Sequence, residues 1–423
     1  LRPRSTIGRR AKSKHIEHRK AAFVAQYEAS QPGIPGESNR ADGVRRERIY
    51  LDWNATTPLR VEARAAMTAA LDLIGNPSSV HEEGRSARNM VEAARTIIAH
   101  ALGADARNVI FTSGGTEANV LALTPGLRRG DSLPVQRLVV SAVEHVSVMA
   151  GGHFAPDAIA IAPVTSEGVV NLERLASMLD ARAPALVSVM LANNESGAIQ
   201  PISQIADIVH ASGGLLHVDA IQGFGRVPID IARLKADCIT LSAHKLGGPK
   251  GIGALVVADG IHGLAPAIRG GGQEQGRRAG TENVAGIAGF GAAVEAAMQA
   301  MNDDVERMQR LRQRLEDGLK ANPEAVIFGE ATPRLPNTTL FAVSGMKAET
   351  AVIAFDLEGL ALSSGSACSS GKVQSSHVLA AMGVQRALAD GALRLSTGWQ
   401  TTEADIDRCL EAWRKLSGVL VRG

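Results

Sequence analysis

"DCITLSAHKLGGPKG", residues 237–251, runs a short apolar segment into Ser242, His244 and Lys245 and then into a glycine-rich turn. Short Val/Ile/Leu-rich runs of this kind suit strands buried on both faces. The same texture recurs in "NVIFTS" (108–113), "RLVVSA" (137–142), "ALVSVML" (185–191) and "LLHVDA" (215–220). Helical patterns lie between several of them. In "PISQIADIVHASGG" (201–214) Pro201 sits at the first turn, Ile202, Ile205 and Val209 follow at helical spacing, and Gly213 and Gly214 act as a stop. Strands alternating with helices predict an α/β fold with a mostly parallel sheet covered on both sides.

A chain of 423 residues is long enough for two domains with a core that needs no disulfide staples. Its 45% hydrophobic content, 21% charged content and net charge of +2 describe an ordinary globular protein and exclude a disordered or nucleic-acid-coating one. The three cysteines, Cys238, Cys368 and Cys409, are far apart and form no CxxC pair, so neither a disulfide framework nor a metal site is indicated. A reducing, cytoplasmic setting follows as the expectation. No apolar run reads as a membrane span.

Residues 1–48 differ in texture: Arg- and Lys-rich at first, then Pro-, Gly- and Ser-rich without periodicity, as in a disordered basic extension. An organelle transit peptide is the other reading, weakened by Glu17, Glu28 and Glu37. We expect a large domain over 65–302 and a smaller α/β domain built from 49–64 and 303–423. A long helical stretch, interrupted near Asn322 and Pro323, joins the two.

In an open parallel sheet, ligands gather at the carboxyl ends of the strands. Here those ends are unusually polar. "FTSGGTEANVLAL" (111–123) leaves a strand through Gly114, Gly115 and Thr116 and opens a helix, which presents free N–H groups and a hydroxyl to an anion. "SAVEHVSV" carries His145, "LANNESGAIQP" carries Asn193, Asn194 and Glu195, and "LLHVDAIQG" carries Asp219 and Gln222. Singly, each reads as well as a plain connection, a structural histidine or polar turn chemistry. Core packing does not call for polar residues at five successive strand ends. A lysine, an aspartate and an anion-binding turn together suggest pyridoxal 5′-phosphate: the lysine forms a Schiff base, the aspartate keeps the pyridine nitrogen protonated, and the turn holds the phosphate.

Two nucleotide motifs fail. "GSACSSGK" has five residues between Gly365 and Gly371 where a P-loop has four, and Val373 follows its lysine; "GPKGIGALVV" does not complete GxGxxG. The stretch "SSGSACSSGK" (363–372) instead sets Cys368 among serines and glycines, away from the apolar neighbours a buried thiol prefers. It reads as a carrier arm.

From "YLDWNATTP" through "GNPSSVH", "FTSGGTEAN", "EH", "NNESG", "HVDAIQ", "SAHKLGGPKGIGAL", "GGGQEQGRRAGTEN" and "SSGSACSSG" to "ALRLSTG", the chain resembles the cysteine desulfurases of the class V aminotransferase group, in the branch that supplies sulfur for iron–sulfur clusters. The resemblance implies fold type I of the pyridoxal-phosphate-dependent transferases, as in aspartate aminotransferase, and a homodimer. It implies Lys245 as Schiff-base lysine, Asp219 at the pyridine nitrogen, Gln222 at the ring hydroxyl and His145 stacked on the ring as a plausible proton acceptor. Gly115, Thr116, Ser242 and His244 would hold the phosphate, joined by Thr281 of a second subunit. Asn194 and Arg394 would bind the substrate carboxylate, and Cys368 would be the nucleophile that takes sulfur from L-cysteine as a persulfide and releases L-alanine. The implied acceptor is a protein such as an iron–sulfur scaffold, with tRNA thiolation the indirect route to nucleic acid.

Two features depart from the family pattern. Trp399 stands where the family often has a basic residue, and the sequence stops at Gly423 without the longer tail that some relatives use to hold a scaffold. Trp53 reads equally as lining a site mouth or as packing, while Cys238 and Cys409 read as structural. The rival functions are a class V aminotransferase, a selenocysteine lyase and a non-catalytic docking subunit; intact Lys245 and Asp219 argue against the last.

Overall fold

The computed structural model of the protein describes residues 48–365 and 375–420. Its centre is a seven-stranded sheet built from β1 (Val109–Thr112), β2 (Arg137–Ser141), β3 (Ile159–Ala162), β4 (Ala185–Met190), β5 (Leu215–Asp219), β6 (Cys238–Ser242) and β7 (Gly253–Val257). The spatial order is β1-β7-β6-β5-β4-β2-β3. Every residue of β4, β5, β6 and β7 is buried, as their uninterrupted apolar runs require. The expected mostly parallel sheet is present with one reversal: β7 runs antiparallel to both neighbours, so Gly253 pairs with Thr112 on one side and Ser242 on the other. That reversal lets β6 return directly through the Ala243–Ile252 connection, and it aligns the carboxyl ends of β1 and β6 at one edge.

Helices α1 (Val61–Leu71), α2 (Glu82–Leu102), α3 (Gly115–Ala122), α4 (Val146–Met149) and α5 (Ile202–Ala211) cover or flank the sheet. In α5 the expected helical spacing is realised: Ile202, Ile205, Ala206 and Val209 are buried in the main core. α2 begins where His81 accepts from the Gly84 N–H and ends at Gly103, whose φ of 66° closes the helix.

The long helix α6 (Val284–Leu319) continues unbroken through residue 303. Its first half places Ile287, Phe290 and Val294 in the main core, while Leu311, Leu315 and Leu319 enter a second core with Leu51, Phe341, Phe355 and Trp413. By length and composition α6 is long and apolar enough to cross a membrane, against the expectation that no such segment is present; half of its most apolar stretch is buried inside the fold, as in a core helix.

The second core backs a four-stranded antiparallel sheet, ordered β8-β9-β11-β10, of β8 (Ala325–Ile327), β9 (Thr338–Val343), β10 (Ser363–Ser364) and β11 (Leu393–Ser396). Helices α7 (Ala348–Leu357) and α8 (Glu403–Leu420) pack against it, and the segment at Ile49–Asp52 joins the same layer through its bridge to Ser396. Cys238 in β6 and Cys409 in α8 are both buried; burial raises the Cys238 thiol well beyond its ordinary range and takes Cys409 up to about 12, so neither forms a thiolate at neutral pH.

Trp53 packs rather than lining a mouth. It is 3% exposed, donates from Nε1 to Tyr50 O at 2.9 Å and meets Trp399 edge-on at 4.7 Å. The Arg60 guanidinium lies 3.9 Å over the Trp399 ring while its Nε donates to Leu246 O at 3.1 Å. Trp399 and Arg60 thereby clamp the turn after Lys245. Gly247 fits that clamp with φ of 96°, where a Cβ would come within 2.4 Å of Arg60 Cγ.

Candidate active site

The carboxyl ends of β1, β4, β5 and β6 surround a cavity of about 450 Å³. Of the residues that the family resemblance gives a site role, all but Thr281 and Cys368 line it: Gly115, Thr116, His145, Asn194, Asp219, Gln222, Ser242, His244, Lys245 and Arg394; Gly114, Asn193 and Glu195, also named at the strand ends, do not. Thr281 lies exposed in the loop before α6. Cys368 lies outside the described residues.

One end of the cavity is the start of α3. Gly114 caps that helix without a side-chain bond, so its first N–H groups and positive dipole end face outward. Gly115 packs closely under Ile221: a Cβ there would come within 2.3 Å of Ile221 Cδ1 and displace the end of that side chain. An adjoining space of about 420 Å³ shares Gly115, Thr116, Ser242 and His244 with the main cavity and adds Ser113 and Lys250. His244 bonds Thr56 Oγ1 through Nδ1 at 3.1 Å. Burial, assisted by Lys245 and Lys250, pushes its pKa down to about 4, so it serves as a neutral imidazole. The combination of helix dipole, hydroxyls and Lys250 suits a phosphate-sized anion.

Lys245 closes the 3₁₀ turn that follows β6. Its Nζ donates to Asn54 O at 2.5 Å and to Ala55 O at 2.9 Å. Desolvation, with Arg394 and Arg226 nearby, lowers its pKa to about 7 against the opposing pull of Asp52 and Asp219. An amine in that range is a nucleophile near neutrality, which an ordinary lysine is not.

Asp219 ends β5 and is 4% exposed. Its Oδ2 accepts from Asn119 Nδ2 at 2.9 Å and its Oδ1 from the Ile221 N–H at 3.0 Å. Burial raises its pKa, and those bonds together with His145 and Lys245 only partly oppose the rise. Among the described residues no Lys, Arg or His lies within ion-pair distance of this carboxylate. A buried carboxyl so placed is suited to receive a cationic N–H presented from the cavity.

Asn119 is the hub that sequence reasoning missed. Its Nδ2 also donates to Ser147 Oγ at 2.9 Å, and its Oδ1 accepts from Thr240 Oγ1 at 2.6 Å. With Ser147 Oγ accepting from Asn119, its proton turns to His145 Nδ1 at 2.7 Å, where the Ser147 N–H also points. Nδ1 is thus an acceptor and the proton of a neutral His145 resides on Nε2. Burial lowers the His145 pKa, helped by Lys245 and His377 and opposed by Asp219. The signal was available in position alone: Asn119 lies one helical turn after Gly115, on the same face of α3.

On the substrate side, Arg394 projects from β11. Its Nη2 pairs with Asp52 at 2.7 Å, its Nη1 donates to Asn194 O at 3.0 Å, and its buried Nε has no partner among the described residues. Asp52 and Asn54, from the quoted "YLDWNATTP", were not singled out from sequence. Neither was Arg226, whose guanidinium bonds Gln222 and backbone carbonyls around Lys245.

The model of the class-V aminotransferase family matches residues 49–409. The chain is 42% identical over 372 residues to a cysteine desulfurase of Cereibacter sphaeroides, covering 86% of this chain and 94% of that protein. It is 40% identical to the cysteine desulfurase IscS of Dictyoglomus turgidum, over 88% of this chain and 95% of the relative. Among solved structures, a NifS-like protein of Rickettsia africae superposes with a TM-score of 0.80 at 36% identity, over 88% of this chain and all of that one. A second, titled as SspA in complex with cysteine, gives a TM-score of 0.69 at 30% identity over 83% of this chain and 99% of its own. Together with the mixed, largely parallel sheet, these likenesses identify fold type I. The chain belongs to the class-V aminotransferase family, among its cysteine desulfurases.

Proposed function

We propose that the protein is a pyridoxal-phosphate-dependent cysteine desulfurase that converts L-cysteine to L-alanine and passes the sulfur to Cys368 as a persulfide, for iron–sulfur cluster assembly and other sulfur acceptors. The observation that carries this reading is the convergence of three groups on one cavity: the low-pKa Lys245 amine, the buried Asp219 with no ion-pair partner among the described residues, and the amino end of α3, which no side chain caps.

The side chains fit that cofactor. Gly115, Thr116, Ser242 and His244 would hold its phosphate, with Thr281 supplied by the second subunit of a homodimer. Asp219 would hold the protonated ring nitrogen, Gln222 the ring oxygen, and Lys245 the aldehyde carbon. When bound, the cofactor supplies an electron sink for the bond broken at the substrate Cα.

The chain's own residues do the rest. Arg394 and Asn194 orient the L-cysteine carboxylate, with Arg394 trading part of its pairing to Asp52 for the incoming anion. Lys245, amine-like near neutral pH, takes the Cα proton. His145, with Nδ1 engaged by Ser147 and its own proton on Nε2, offers the substrate sulfur an N–H donor and not the proton acceptor that the resemblance implied. The Cys368 thiolate attacks the substrate sulfur: an S–S bond forms, the substrate C–S bond breaks, and the carbon side leaves as alanine after protonation. In domain terms we assign 65–302 to the cofactor and 49–64 with 303–423 to a small domain carrying Cys368, and we place the enzyme in the cytoplasm.

The test is incubation of purified protein with L-cysteine, measuring alanine and the mass of the Cys368 peptide. Equimolar alanine and an adduct of about 32 Da support covalent catalysis. Cys368→Ala is expected to abolish the adduct. Transamination products without an adduct would sink the reading.

A further inference from the structure

Arg226 is buried to 6% exposure beside the cavity and has no carboxylate within ion-pair distance among the described residues. A buried guanidinium without a counter-ion is costly, and this one is not required to complete any ion pair. Its bonds are all to neutral oxygens. Nη1 donates to Gln222 Oε1 at 2.5 Å and Gln222 O at 3.1 Å; Nη2 reaches Lys245 O at 3.3 Å and Trp53 O at 3.4 Å.

The bond to the Gln222 side chain has a consequence for its orientation. A guanidinium carries donors only, so the amide atom that faces it is the oxygen. The Gln222 Nε2 is therefore turned the other way, where one hydrogen goes to Asn54 O at 3.0 Å and the second remains for the cavity that Gln222 lines. Without Arg226 that orientation rests on the single Nε2 bond to Asn54 O, and the oxygen side of the amide loses its partner.

We propose that Arg226 is a positioning residue: by holding Gln222 Oε1 it commits Gln222 to face the cavity as an N–H donor, so that the site selects a ring oxygen that is ionised over one that carries a hydroxyl proton. This deepens the pyridoxal-phosphate reading and rests on it. The charged groups lining the cavity are Arg394, Asp52 and Asp219, with Lys245 brought down to about 7 and His145 and His244 held neutral; Arg226 itself faces the space behind Lys245 that Arg60 and Asp304 also line. Arg226 adds its own positive charge to the side that favours an ionised oxygen, and it acts in the same direction on Lys245.

The experiment titrates the absorbance of the bound cofactor against pH in the full-length protein loaded with pyridoxal phosphate, and measures the cofactor dissociation constant in parallel. Arg226→Met is expected to raise the pH midpoint of the absorbance change by about one unit, as loss of a neighbouring cation and a fixed donor requires. Arg226→Lys, which keeps a charge and a donor, is expected to recover most of that shift. The Arg226→Met and Gln222→Ala shifts should be less than additive when combined, because one acts through the other. Gln222→Glu supplies an independent arm: with Arg226 pairing one carboxylate oxygen, the ring oxygen meets an acceptor, and the midpoint should again rise. An unchanged midpoint in Arg226→Met or in Gln222→Glu, or strictly additive shifts, overturns the inference. Wild-type protein that binds no pyridoxal phosphate overturns the functional reading beneath it, a result distinct from a wild type that binds while the variants titrate identically.

Discussion

Lys245→Met in the cofactor-free protein is expected to stabilise it near neutral pH. The lysine falls from an ordinary 10.5 to about 7 on folding. Between those values the unfolded chain holds the proton and the folded one does not, so wild-type stability rises with pH across that window. At about 1.4 kcal/mol per unit, the penalty for carrying this lysine is about 4 kcal/mol at pH 7 and about 2 kcal/mol at pH 9. Methionine keeps the stem but forfeits the bonds to Asn54 O and Ala55 O, at about 1 kcal/mol each. The net gain is then about 2 kcal/mol at pH 7, shrinking to about zero at pH 9. Urea unfolding followed by tryptophan fluorescence at pH 6, 7, 8 and 9 measures both the gain and its slope. A variant that is less stable than wild type at pH 6 to 7, or a difference that does not shrink with rising pH, would refute the claim that the site holds Lys245 as a neutral amine.

Glu144 is fully buried, accepts from Ser141 Oγ and Met190 N through Oε1, and is pushed by burial to about 8. The folded state keeps its proton from pH 4.5 to 8 while the unfolded state has lost it, so this group's contribution falls as pH rises through that range. Glu144→Gln should remove the slope and raise stability at pH 7 by at most about 3 kcal/mol, read from unfolding midpoints at pH 5 and 7; an unchanged slope would count against a protonated Glu144. Asn119→Ala strips a partner from Asp219, Ser147 and Thr240 together, at an expected loss of about 1–3 kcal/mol. It should also weaken pyridoxal-phosphate binding, and equilibrium binding at wild-type affinity would show that the hub is not needed to orient Asp219.

Much of the site was legible because it is local. Asp219 and Gln222, or Ser242, His244 and Lys245, follow their strands within a few residues, and the ends of parallel strands share one edge of the sheet. The main sheet was legible for the same reason: five of its strands are continuous apolar runs. β3 and β7 were not read. β3 is a four-residue strand of alternating Ile and Ala with a half-exposed face, and β7 follows a glycine turn with nothing in its composition to announce a reversed direction.

By itself, then, the sequence determined the α/β class, the strand ends that carry polar chemistry and the lysine, aspartate and glycine-turn set, because periodicity and turn chemistry act over a few residues. Only the tertiary structure decided which of those groups are charged and what holds them. Arg394 meets Asp52 across 342 positions, Asp219 meets Asn119 across 100, and Arg226 reaches the Trp53 carbonyl across 173. Burial depresses Lys245 and raises Asp219 only once those distant segments close over the cavity and remove water from it.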